Sequence, residues 1–135
     1  MSKILDEILK CIPKEAKITS SFFEGANIIL YSKDVDFIVN DNTTIKELVN
    51  NFKKRIEVRP DPAITLDIEK AEQIIRKIIP EEAGIDQIIF DPQRSIVVIE
   101  AEKPGLVIGK QGDLLREIKK QVLWVPLIKR TPPIK

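Results

Sequence analysis

The 135-residue sequence contains no histidine and one cysteine. Without an imidazole there is no Ser-His-Asp triad, no His-containing zinc site and no histidine acid/base catalysis. A lone thiol, Cys11, builds neither an internal disulfide nor a Cys-rich metal site, and in the first amphipathic stretch it reads as a small packed residue. Aromatic residues make up only 5%, so strong stacking of bases on rings is not evident. No apolar run approaches the ~20 residues of a membrane span. Asp6, Glu7 and Lys10 interrupt the N-terminal apolar residues, which argues against a signal peptide. The expectation is a cytoplasmic protein with no membrane contact, no catalytic residue, no metal and no cofactor. Carboxylate-only Mg²⁺ chemistry would have Asp34 and Asp36 as its closest pair, but two acids beside an apolar run are ordinarily a helix cap or a wet face.

What is present is the composition of a soluble globular chain, 43% hydrophobic and 32% charged, long enough for one ordinary domain or two very small ones. The net charge of +1 says nothing about partners; its distribution says more. Residues 66–102 carry four cationic side chains against nine carboxylates, whereas residues 103–135 carry eight against two. The cationic excess runs through Lys110, Arg116, Lys119, Lys120, Lys129 and Arg130, as a polyanion-binding region would place it. Alone, Arg116, Lys119 and Lys120 fit a solvated helix face equally well.

Apolar residues at helical spacing (Ile4, Leu5, Ile8, Leu9, Ile12) predict a first helix after a cap at Ser2, stopped by Pro13. β-Branched and aromatic runs at 17–23 and 27–32 predict a hairpin around Gly25. Val35 to Val39 fits a strand or one helical turn. Thr43 or Thr44 would cap a helix with Ile45, Leu48, Val49 and Phe52 inside, and residues 55–59 alternate like a strand. The boundary falls near Asp61-Pro62, giving units 1–64 and 65–135. The second half repeats the order: a helix at 68–79, strands at 85–90 and 95–100, a short helix opened by Pro104, a helix at 113–122 and a closing strand at 124–129. Pro126 puts that last strand at an edge or a bulge. Trp124 reads as a core filler more readily than as a partner contact.

Between the fifth and sixth helices stands Gly109-Lys110-Gln111-Gly112, preceded by Leu106-Val107-Ile108 and followed by Leu115 and Ile118 at helical spacing. Two glycines let a sugar-phosphate backbone come close, main-chain N–H groups lie beside a helix N-terminus, and Lys110 adds a full charge. The bland reading is a plain helix-turn-helix corner. The pattern resembles the GXXG loop of KH domains, which clamps about four nucleotides of a single strand. The first half's counterpart, Asn40-Asp41-Asn42-Thr43, has neither glycine and sets Asp41 against a phosphate, so that copy reads as degenerate.

The duplicated α-β-β-α-α-β order resembles two tandem type II (prokaryotic) KH domains, an α+β fold with a three-stranded sheet in each. Residues 54–62 (Lys-Arg-Ile-Glu-Val-Arg-Pro-Asp-Pro), 105–112, Trp124-Val125-Pro126 and Lys129 to Pro133 narrow the likeness further. Together they resemble the tandem-KH region of the archaeal β-CASP ribonuclease related to cleavage and polyadenylation specificity factor. That resemblance implies a non-catalytic module that guides U-rich single-stranded RNA to a zinc-dependent 3′-end-processing and termination nuclease. Zinc would belong to the nuclease domain, which this histidine-free sequence does not contain. The site carried over is Gly109, Lys110, Gln111 and Gly112 on the phosphates, with charge from Arg116 and Lys119 and an apolar groove beside Leu106 and Leu115. The alternative is docking onto a nuclease domain, an RNA polymerase or a ribosome.

Overall fold

Two β-hairpins of like design organise the chain, each extended by a parallel third strand. In the computed structural model, which describes residues 3–40 and 43–132, the chain divides into units 1–63 and 64–135. The first holds α1 (Lys3–Lys10), β1 (Ile18–Glu24), β2 (Asn27–Ser32), α2 (Val35–Val39), α3 (Thr43–Phe52) and β3 (Ile56–Pro60). The second holds α4 (Ile68–Ile78), β4 (Ile85–Asp91), β5 (Ile96–Ala101), α5 (Pro104–Ile108), α6 (Asp113–Val122) and β6 (Val125–Arg130). Each sheet is antiparallel between its first two strands and parallel between the second and third. The expected α-β-β-α-α-β order and three-stranded sheets are thus present in both units.

The parallel pairing follows from the crossover, because two helices carry the chain back to the end at which the middle strand began. One face of each middle strand packs under helices. In the second unit Val97, Ile99 and Ala101 alternate inward against Ala71, Ile75, Ile118 and Val122. Trp124 joins this core at 2% exposure, donates Nε1–H to Leu66 O at 2.8 Å and meets Phe90 edge-on at 4.9 Å. Pro126 lies in β6, which pairs only with β5 and is an edge strand.

Three details depart from the sequence reading or complete it. The five residues Val35–Val39 form a helix, because Asp34 accepts the N–H of Phe37 at 3.0 Å and caps it. Cys11 is exposed: α1 ends at Lys10, since Pro13 disfavours helical angles before it, and the thiol falls in the turn. Thr43 is already inside α3, so the first unit's counterpart of the glycine corner spans only residues 40–42. The Ser2 cap, Asp41, Asn42 and Pro133 lie outside the described residues.

Candidate nucleic-acid interface

The corner between α5 and α6 is built by backbone angles that ordinary residues avoid. Proline opens α5, and the helix closes when Gly109 donates its N–H to Gly105 O at 3.1 Å and turns to φ +79°, ψ −176°. Gln111 (φ +55°) and Gly112 (φ +79°) follow in the left-handed region, and α6 starts at Asp113 without any side-chain cap. The left-handed region costs an L-residue about 1–2 kcal/mol, which glycine escapes and Gln111 does not.

The two glycines are required for different reasons. A Cβ on Gly109 would run into the Asp113 carboxylate and come within 2.7 Å of Leu114 Cγ, so packing from inside the protein fixes this position. At Gly112 the nearest atom to a Cβ would be Arg116 Nη1 at 3.4 Å, an ordinary contact, and only the positive φ selects glycine. The first turn of α6 thus packs against Gly109, whereas a Cβ at Gly112 would meet the Arg116 guanidinium at ordinary contact distance. Sequence reasoning missed the part that Asp113 and Leu114 play here, because it depends on where the next helix puts its first turn.

Lys110 and Gln111 are both exposed. The N–H of Gly112 closes on Gly109 O at 3.4 Å and that of Asp113 on Lys110 O. Among the described residues the N–H groups of Lys110 and Gln111 have no such main-chain partner. The Arg116 guanidinium donates to Gln111 O at 2.8 Å, which braces the loop through a carbonyl and leaves its donors uncovered. That bond also brings a second cation to the corner beside Lys110. Lys119 is half-buried one turn further along α6. Lys129 and Arg130 are adjacent on an edge strand, so their side chains project to opposite faces and do not form one patch.

The apolar members are placed unequally. Val107 is fully buried and anchors α5, whereas Leu106 is 40% exposed and Leu115 half-buried. Ile108, which the sequence reading left out, is 36% exposed directly before Gly109. Asp34 caps α2 and Asp36 accepts Asn40 Nδ2–H at 2.8 Å, so the carboxylate pair serves local structure. Among the described residues no cluster of three or more Cys, Asp or Glu is placed to hold a metal ion. No described helix is long and apolar enough to cross a membrane.

The first unit's most buried charge lies on its sheet. Arg59, 3% exposed, bonds both oxygens of Glu24 (2.7 and 2.9 Å) and donates Nε–H to Glu57 at 2.7 Å. Burial opposes the charge, but the bonds to Glu24, Glu57 and Tyr31 outweigh it and raise the guanidinium pKa above its usual range.

Comparison with known proteins finds a KH match in each unit. Residues 1–65 match the family described as the KH domain of transcription termination factor FttA, and residues 70–123 match the KH domain family. Among curated relatives, transcription termination factor FttA of Pyrococcus horikoshii is 51% identical over 91% of this chain. The Thermococcus kodakarensis and Methanocaldococcus jannaschii proteins of that name are 48% and 46% identical over 99% of it. The alignments take up 19% of the first of these proteins and 21% of the other two, so the chain spans about a fifth of their length. With one KH match in each structural unit, the chain belongs to the KH family as a tandem pair, corresponding to the KH region of the archaeal termination factor FttA.

Proposed function

We propose that this chain is a non-catalytic, cofactor-free module that binds single-stranded RNA at the Gly109–Gly112 corner and guides it, U-rich stretches foremost, to a 3′-end-processing and termination nuclease. The observation that carries this reading is the corner itself: two exposed polar side chains with uncommitted main-chain N–H groups, set between left-handed glycines ahead of an uncapped helix. Phosphates would meet the N–H groups and Lys110, with Arg116 adding charge and Lys119 contributing further along α6. Bases would lie over Leu106, Ile108 and Leu115. The names of the relatives support a place in transcription termination.

Replacing Lys110 and Gln111 by Asp is expected to abolish binding of labelled single-stranded RNA while the thermal melt stays close to wild type. Unchanged binding overturns the assignment. Titrating oligo-U against the other homopolymers tests the base preference, and equal affinities remove the U-rich part alone.

A second reading, docking to the nuclease domain, an RNA polymerase or a ribosome, is favoured by one feature. Ile89, Val98 and Leu127 are register partners across the second sheet, and the outer two are 45% and 47% exposed. Such a row suits a protein surface better than a polyanion. Retention of a protein partner by the Lys110/Gln111 double variant in an RNA-free pull-down would support it.

A further inference from the structure

We infer that the first unit, which lacks the glycine corner, binds the RNA backbone at a different place: the cationic cleft formed by Lys53, Lys54 and Arg55 where α3 gives way to β3. These three exposed residues line a shallow cleft of about 460 Å³ together with Val49, Asn50 and Ile56. Among the described residues none of the three cations makes a hydrogen bond or ion pair through its side chain. Three adjacent positive charges without a carboxylate repel one another, and a polyanion relieves that repulsion.

The fold does not require these charges. In both units the helix before the third strand stops on a left-handed residue, Lys53 (φ +56°) in one and Leu123 (φ +55°) in the other. Their N–H groups close on Val49 O and Lys119 O in the same way. On this shared backbone the second unit carries Leu123, Trp124 and Val125 where the first carries Lys53, Lys54 and Arg55. A helix C-terminus favours one nearby cation. It gives no reason for two more beyond the helix end.

The lining is mixed, and the mixture selects the polymer. Half-buried Val49 and buried Ile56 give an apolar floor, and the exposed amide of Asn50 offers both a donor and an acceptor. Phosphates on the three cations, with a base or ribose against that floor, describe a single strand whose bases are free. The choice of RNA as that strand rests on the reading of the glycine corner; the cleft stands without it.

The test titrates the full chain with a single-stranded RNA of about 15 nucleotides, long enough to exceed the ~4 that one corner clamps. Amide signals are followed separately at residues 49–56 and 109–112. Movement at 49–56 is expected, and in the Lys54→Ala/Arg55→Ala variant it should disappear while signals at 109–112 still respond. The log–log salt slope of binding should fall by about 1.4 for two lost phosphate contacts to a single strand. Signals at 109–112 alone, with an unchanged slope in the variant, overturn the cleft and keep the corner. Signals at 49–56 alone keep the cleft and overturn the corner; silence at both overturns both. A cleft that responds to an acidic peptide and not to RNA also overturns the proposal.

Discussion

The two units share an element order and a sheet topology, yet they turn their critical corner differently. In the second unit four residues separate α5 from α6, and three of them have positive φ. In the first, three residues separate α2 from α3, and Asn40 keeps right-handed angles (φ −114°, ψ −31°) with its side chain tied to Asp36. That corner is one residue shorter, its sequence has no glycine, and its first residue is an asparagine tied to Asp36. The scaffold therefore tolerates either corner, and the proposed phosphate contact calls for the longer, glycine-bounded one.

The largest expected effect comes from Arg59, the one charged side chain buried among the described residues. Replacing it as Arg59→Met takes away the guanidinium that Glu24 and Glu57 both bond. Losing one partner of a buried ion pair costs about 3–5 kcal/mol, and these carboxylates are 30% and 41% exposed, so about 3 kcal/mol is expected. The register-equivalent Lys129→Met should stay within about 0.5 kcal/mol, as surface changes do. Urea denaturation of both variants decides this, and equal losses would contradict the burial seen at Arg59.

Next in size is the corner. Gly109→Ala meets both a glycine-only backbone region and the Asp113 and Leu114 side chains, at a cost of about 2 kcal/mol, and should weaken RNA binding with it. Asn40→Ala, at right-handed angles, should cost at most about 0.5 kcal/mol and leave binding unchanged. A smaller contrast concerns Trp124, which faces Leu66 O where the first unit has exposed Lys54. Trp124→Phe leaves that carbonyl without its donor and should cost about 1 kcal/mol in a thermal or urea melt. No measurable loss would mean that water replaces the indole freely.

These contrasts also show what a sequence discloses and where it stops. α5 is legible because Pro104 can only begin a helix and Gly109 readily ends one; the strands are legible from their β-branched runs. Val35–Val39 is not, since a five-residue stretch with four apolar side chains suits a strand or a helical turn until the Asp34 cap decides. Arg59 reads as one polar position in an alternating strand, because the glutamate that draws it inward lies 35 residues earlier. At the corner, the glycines and Lys110 are visible in the spacing. The left-handed angle of Gln111 and the packing of Asp113 beneath Gly109 are not, for both arise only when α6 docks.

The smallest effect separates the units by a reversed pair. Thr19 donates Oγ1–H to Asp61 Oδ2 at 2.6 Å, and the N–H of Ala63 donates to the other oxygen at 2.8 Å. These bonds hold the Asp61 carboxyl below its usual range, against a slight desolvation and with help from Lys33. At the register-equivalent places the second unit has Asp86 and Thr131, the same two residue types exchanged, and there Thr131 Oγ1 is buried without a partner among the described residues. Because the folded pKa of Asp61 is depressed, its contribution is present above the unfolded carboxylate pKa and is lost as pH falls through the folded value. Thr19→Val should therefore destabilise by about 0.5 kcal/mol at neutral pH, and the gap to wild type should close in acid. Thr131→Val removes an orphaned hydroxyl instead and should be neutral or stabilising, with no dependence on pH. Melts of both variants from neutral to acid pH check the pair; a gap for Thr19→Val that widens in acid would show that the carboxylate is not the species held.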